Sequence, residues 1–324
     1  VESANALTLA GGNVFKSELN ADGTQETNLD VRDANRRIVR YAYTFKGATA
    51  ATVVGSDTWG GRSAAGNTTA ENSVTITGGN HTDIYGGWTT GTGSQAVANK
   101  RGDSISNNVT VNGSAAVSGT VYGGYTDVTG GRASNNTVSL GSVTVNQVVG
   151  GEGTTTDNNT VNINGTTVTD KIIGGTAADG TGNLLSVKGV NRAGWIAGFQ
   201  KVTFDATGVA AGATMLNLNG SAGTTFERGA IDATGSTVSG GITLLHNANG
   251  ITVNGLGATD NILKSEADET TEKNIAAHRT GGNITDIRYE GYQFAGVTTP
   301  VIIGTDAYGG ISRAGNSTHN NVIT

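Results

Sequence analysis

Apolar and polar residues alternate in short runs along much of the chain, and each run stops at Gly, Asn or Asp. The clearest are Val74-Thr75-Ile76, Val109-Thr110-Val111, Val138-Ser139-Leu140 and Val161-Asn162-Ile163. Alternation with period two predicts half-buried strands, with the two apolar residues on one face and the polar one on the other. Each run is preceded by Asn72 or by an Asn pair: Asn107-Asn108, Asn135-Asn136, Asn158-Asn159. After a spacer comes an apolar pair closed by two glycines: Ile84-Tyr85-Gly86-Gly87, Val121-Tyr122-Gly123-Gly124, Val148-Val149-Gly150-Gly151, Ile172-Ile173-Gly174-Gly175. The whole unit recurs every 23 to 28 residues or so, a period that holds three short strands and three turns and predicts a parallel β-helix. Stacked units should align Val109 with Val138 and Val161 as an inward apolar column. Thr75, Thr110, Ser139 and Asn162 should then form an outward polar ladder. The Gly-Gly pairs read as sharp corners, since glycine tolerates positive φ and lets neighbouring backbones approach closely, and the Asn pairs as corners whose side chains bond along the stack.

Away from 107–175 the pattern loosens. Residues 1–51 are irregular and read as an N-terminal cap or irregular first rungs, with a charged cluster (Arg32, Asp33, Arg36, Arg37, Arg40) before the alternating Tyr41-Ala42-Tyr43-Thr44-Phe45. Residues 52–324 read as the helix proper, with a loop inserted near 89–106 and a charged insertion near 260–278, expected to be a polar loop or a short helix. Tyr308-Gly309-Gly310 restores the motif, and 319–324 read as the opening of one more repeat, so the array is expected to continue past Thr324. The fold class expected is therefore all-β, a right-handed parallel β-helix with an irregular N-terminal cap and inserted loops.

Composition agrees with a thin, one-dimensional core. Of 324 residues, 52 are glycine, one is proline and none is cysteine, and hydrophobic residues make up 35%. Each turn of a solenoid needs only a few inward side chains. The net charge of −6 argues against a nucleic-acid partner, which needs clustered Lys and Arg. No apolar run is long enough to span a membrane as a helix.

Candidate chemistry sits where the repeat is interrupted. The inserted loop carries Arg101-Gly102-Asp103, which resembles the integrin-binding tripeptide of cell-attachment proteins. A guanidinium and a carboxylate on either side of a glycine turn suit an acidic site and a bound metal on the partner. Trp59, Tyr85, Tyr122 and Tyr308 directly precede Gly-Gly, while Trp88 and Tyr125 follow it. Rings repeated once per rung can pack inside the coil or form an edge that stacks on sugars or anchors a protein. Trp88 and Tyr125 are the better exposed candidates. The acids Asp83, Asp127, Glu152, Asp157 and Asp170 are scattered, and His81, His246, His278 and His319 lie far apart, so neither a metal site, a cofactor nor a catalytic set is expected.

With these features the chain resembles the passenger domain of a Gram-negative autotransporter adhesin. The likeness rests on the Asn-Asn-x-Val-x-Val/Ile repeats, the Tyr-Gly-Gly motifs, the missing cysteine and the Gly194-Trp195-Ile196-Ala197-Gly198-Phe199 run, and it is clear over 59–204. It implies secretion across the outer membrane, display at the bacterial surface and a right-handed β-helix. The expected function is non-enzymatic adhesion to a host-cell protein or glycan through loops on a β-helical stalk. The alternatives are a self-associating or structural stalk that mediates cell–cell aggregation, and a carbohydrate-active β-helix enzyme. The binding residues proposed from sequence are Arg101, Gly102, Asp103, Trp88 and Tyr125.

Overall fold

The computed structural model describes residues 16–30, 39–91, 102–235 and 241–323. Its described residues are all-β, and its parallel strands stack into a β-solenoid of about 7 turns. Two compact units divide it, residues 1–162 with 173–184, and residues 163–172 with 185–324.

The first unit opens with an antiparallel sheet of three strands, Lys16–Leu19, Gln25–Asp30 and Val39–Thr44, in which Glu26 faces Tyr43. A hairpin follows, Thr52–Val54 against Asp57–Ser63. From there the pairing becomes parallel on three faces. One face stacks Asp57–Ser63, Ile84–Thr89, Ala116–Thr126 and Thr144–Glu152, with Thr58, Ile84, Val121 and Val148 in one column. The second stacks Ser73–Ile76, Asn108–Asn112 and Thr137–Gly141. The third joins the short Thr69–Ala70, Ser104–Ile105 and Ala133–Ser134. The inward columns are those the alternation predicts: Val74, Val109 and Val138 stack, as do Ile76, Val111 and Leu140, and all are buried. Burial of each contributes roughly 1.5–3 kcal/mol as an upper bound.

The corners differ from expectation, and the difference explains the repeat. The Gly-Gly pairs lie inside strands, and none of Gly60, Gly61, Gly86, Gly87, Gly123, Gly124, Gly150 or Gly151 has positive φ. The first glycine of each pair has no room for a Cβ against the next rung's backbone, as at Gly86, where it would lie 2.4 Å from the Gly123 carbonyl oxygen, and at the second a buried asparagine crowds the place of a side chain. A Cβ on Gly61 would lie 2.2 Å from Asn72 Nδ2, one on Gly87 2.3 Å from Asn107 Nδ2, and one on Gly124 2.4 Å from Asn136 Nδ2. These asparagines form a continuous internal ladder. Asn72 Nδ2 donates to Asn107 Oδ1 (2.7 Å), Asn107 to Asn136 (3.0 Å), Asn136 to Asn159 (3.1 Å) and Asn159 to Asn183 (3.2 Å). The backbone N–H of each also donates to the next Oδ1, at 2.9–3.4 Å. The five are 0–1% exposed. A buried amide left unpaired costs about 1–3 kcal/mol, so the ladder is stable only when every member has its neighbours. The positive φ belongs to the residue before each ladder asparagine: Glu71, Ser106, Asn135, Asn158 and Gly182. In each Asn pair of 135–136 and 158–159 the first residue makes the turn and the second makes the ladder. Asn107 is a ladder residue aligned with Asn136, one position from the register that simple alignment of the Asn pairs suggests.

In the second unit, Lys201–Asp205 pairs in parallel with Ile231–Thr234, and Asn191–Ala197, Thr214–Leu218 and Ile242–Asn254 stack in order. Phe204, Leu185, Leu216, Leu218, Ile231 and Leu245 are among the fully buried core residues. The charged stretch 260–278 is neither a loop nor a helix. It forms Ile262–Ala267 and Thr271–Thr280, which pair antiparallel with each other and, through Asn283–Gln293, with Ile242–Asn254. Charge is compatible with these strands because Lys264 bonds Glu266 on its own strand (2.9 Å) and Asp232 on Ile231–Thr234 (2.8 Å). The parallel helix expected over 52–324 therefore gives way to antiparallel pairing from Ile262 onward.

Candidate functional site

The aromatic residues gather on the outer face of the first unit. Trp59, Tyr85 and Tyr122 share one register column and Arg62, Trp88 and Tyr125 the next, which continues to Glu152. The two columns share a face because both glycines between them turn inward: a Cβ on Gly123 or Gly124 would meet Asn136. The ladder inside the coil thus sets the spacing of rings outside it. Tyr85 stacks on Trp88 (4.5 Å between centroids, 10° between planes) and on Tyr122 (4.9 Å, 5°). Trp59 meets Trp88 edge to face at 5.6 Å, Tyr122 meets Tyr125 likewise at 5.3 Å, and Tyr43 extends the group to Trp59 at 6.5 Å. Offset-stacked and edge-to-face pairs of this kind contribute about 0.5–1.5 kcal/mol each beyond burial.

Arg62 lies among three of these rings, its guanidinium carbon 4.2 Å from the centroid of Trp88, 4.7 Å from Tyr43 and 5.0 Å from Trp59. Its buried Nε has no hydrogen-bond partner among the described residues, so the ring faces carry its local stabilisation. Burial pushes the Tyr122 hydroxyl up to about 12, with the charges of Glu152 and Asp83 adding to it and a bond with Thr120 opposing it. Burial likewise raises Tyr85 and Tyr125. All three phenols are neutral donors at physiological pH. Trp59 and Tyr85 are buried under their neighbours, whereas Trp88, Tyr122 and Tyr125 are half-exposed. The platform ends at Val149, which takes the next place in the Tyr122 column.

Trp88 and Tyr125 thus belong to one surface with four rings that support them. The Arg-Gly-Asp stretch does not join it. Arg101 lies outside the described residues, as does 92–100. Gly102 has φ +65, and a Cβ there would lie 2.5 Å from Val128. Asp103 is 3% exposed, paired with Arg132 Nη2 at 2.9 Å and accepting the Arg132 backbone N–H at 2.9 Å. The expectation of a displayed Asp103 is therefore corrected: its carboxylate is consumed by Arg132, whose Nε and Nη2 both donate to Oδ2 while its backbone N–H donates to Oδ1, and presenting it would break all three bonds. His81 is also structural, bonded to Thr58 Oγ1 (2.7 Å) and the Gly78 carbonyl (3.0 Å).

The second unit holds a charged cluster whose members looked unrelated in sequence. Glu290, 9% exposed, receives His278 Nε2 at 2.8 Å and the Tyr292 hydroxyl, with Arg288 Nη1 at 3.6 Å. It borders a cavity of about 340 Å³ also lined by Arg313 and Val301. Burial alone would raise the Glu290 carboxyl, but the His278 and Tyr292 bonds and the nearby cations outweigh it and hold the carboxyl below its ordinary value. At Glu272 burial is likewise outweighed by donors from Arg313, Ser312, Asn316 and Asn274. A carboxylate whose folded value is depressed contributes stability above its unfolded value, near 4.3, and loses it as pH falls through the folded value. Thermal melts should therefore show 262–323 stable at neutral pH and weakening below about pH 4. Glu290→Gln together with Glu272→Gln should lower the neutral-pH stability and flatten that dependence. Among the described residues, no three of His, Asp or Glu converge as metal ligands.

Compared with known proteins, the chain matches no family model, no curated protein and no solved structure.

Proposed function

We propose that this chain is a non-enzymatic adhesive segment of an autotransporter-type surface protein, displayed outside the bacterial outer membrane, that binds a host-cell protein or glycan. The observation that carries the reading is the platform of Tyr43, Trp59, Tyr85, Trp88, Tyr122 and Tyr125 around Arg62. Rings that served only packing would lie inside the coil. These lie outside it, on a face whose inner side is already filled by Val121, Ile84 and the asparagine ladder. A rigid row of rings crosses roughly 15 Å over four strands, with Trp88, Tyr122 and Tyr125 reaching its surface, enough for a few sugar units or one aromatic-rich protein hot spot. Because the rings are locked by stacking, little side-chain entropy is lost on binding.

The test is a screen of the purified chain against host surface proteins and glycans, followed by Trp88→Ala combined with Tyr125→Ala. Both rings are peripheral to the buried pair, so the variant should stay folded and lose about tenfold or more in affinity. Undiminished binding by a folded double variant sinks the assignment of this face. The outward Ser139–Asn162 ladder (3.1 Å) favours a second reading, self-association of stalks through polar columns. Clustering of beads coated with the chain, unaffected by the same substitutions, would support it over the first.

A further inference from the structure

The end of the chain repeats its beginning. Thr270-Thr271-Glu272-Lys273-Asn274 parallels Thr24-Gln25-Glu26-Thr27-Asn28, and Lys264-Ser265-Glu266 parallels Lys16-Ser17-Glu18. From Tyr43 and Tyr292 onward the correspondence runs at a constant offset: Phe45 with Phe294, Gly47 with Gly296, Gly55 with Gly304, Gly60-Gly61 with Gly309-Gly310, Ser63 with Ser312, Asn67 with Asn316, Asn72 with Asn321. The bonds repeat as well. Glu26 pairs opposite Tyr43 in the middle strand of its sheet, and Glu272 opposite Tyr292. Ser63 Oγ donates to Glu26 at 2.8 Å and Ser312 Oγ to Glu272 at 2.8 Å. Ala64 N donates to Glu26 at 2.6 Å and Arg313 N to Glu272 at 2.5 Å. Asn72 Nδ2 donates to the Phe45 carbonyl at 3.2 Å and Asn321 Nδ2 to that of Phe294 at 3.1 Å. Ala48 N and Val297 N donate to the respective Oδ1, each at 2.9 Å. Glu71 (φ 57) and Asn320 (φ 55) make the same left-handed turn just before.

The first copy shows what such a cap receives. In the first copy the next rung lies on Asn72: Asn107 Oδ1 takes its Nδ2 at 2.7 Å, Asn108 N donates to its carbonyl at 2.7 Å, and Val74 is buried against Val109. In the second copy Asn321 has no such neighbour among the described residues, and Ile323, the counterpart of Val74, is 39% exposed. We infer that residues 262–321 are a second solenoid-initiating module, whose Asn321 and Ile323 are built to receive a β-solenoid rung joined to it as Asn72 and Val74 receive theirs in the first copy. That rung carries asparagine at the corner and β-branched residues inward, the chemistry of 107–111. The chain is then organised at two periods, the short rung and a long unit that begins with an antiparallel cap. This inference stands independently of the adhesive reading.

The test extends the chain at Asn321 with a second copy of its own residues 73–183, segmentally labelled with nitrogen-15 so that hydrogen exchange reports on the added part alone. The added amides should be protected to within about tenfold of the original ones, and Asn321→Ala with Gly310→Val should remove that protection while 73–183 of the original copy stays protected. Three results overturn the inference. The added segment exchanges like an unfolded chain, it stays protected in the double variant, or its protection depends on protein concentration, which would mean a rung supplied in trans.

Discussion

Asn136→Ala is expected to destabilise the first unit by about 3–5 kcal/mol, far more than an alanine replacement of a surface asparagine. The substitution deletes the acceptor of Asn107 N–H and Nδ2 and strips the Nδ2 donor from Asn159 Oδ1, which keeps only the backbone N–H of residue 136. It also removes the donor to the Ser104 carbonyl. None of these groups reaches water, because Asn107, Asn136, Asn159 and Ser104 are all at most 1% exposed. Urea unfolding followed by residue-resolved hydrogen exchange would show the loss spreading to the rungs on either side, since solenoid stability is a sum over neighbours. A change below about 0.5 kcal/mol would show that the ladder is incidental. A cycle at the first rung isolates the link between glycine and asparagine. The three heavy atoms nearest a Gly61 Cβ all belong to the Asn72 side chain, at 2.2–2.6 Å. Gly61→Ala and Asn72→Ala should each destabilise, and Gly61→Ala should cost markedly less in the Asn72→Ala background. Strict additivity would mean that the Gly-Gly motif has another cause.

Glu26→Ala is the second large effect. This carboxylate is fully buried and accepts from Ser63 Oγ, Ala64 N, Ala65 N (3.2 Å) and Asn67 Nδ2, which together fold the 63–67 turn around it. Removing one partner of a buried charged network strands the others, at a cost of about 3–5 kcal/mol. The antiparallel sheet should detach from the first rung, so protease cleavage within 45–67 should appear in the variant and not in the parent. Glu26→Gln keeps the shape and one acceptor oxygen, and should fall between the two. Glu272→Ala should produce the same cleavage pattern at 294–316, since its turn is built the same way. Intact turns in both alanine variants would refute this role of the two carboxylates.

Much of this architecture is written in local pattern. Period-two alternation in Val109-Thr110-Val111 and its relatives specifies strands and their inward faces, because side chains of a strand must alternate and only one face is dry. Recurrence of that alternation at a fixed short interval specifies stacking, because no single rung buries its own apolar face. Strand and stack both follow from the residues alone, and Trp88 and Tyr125 stand out beside the glycines as binding candidates. What the pattern leaves open is which way a residue without alternation points. Gly60-Gly61 reads as a turn on backbone grounds, since glycine is permissive, yet these strands are extended, and Gly60 makes room for the Gly86 carbonyl and Gly61 for Asn72. The left-handed position falls on Glu71, Ser106 and Asn158 alike, so residue type does not mark it. Asp103 looked like a displayed acid because it follows an Arg-Gly pair. Arg132, 29 positions away in sequence, takes it out of solvent. His278, Glu290 and Tyr292 gained a shared environment only when antiparallel pairing brought two strands side by side. In each case the deciding partner is distant along the chain and close in space. A one-dimensional reading detects periodicity well and such pairings poorly, and tertiary structure alone separated the glycines and acids that serve the scaffold from the rings that face outward.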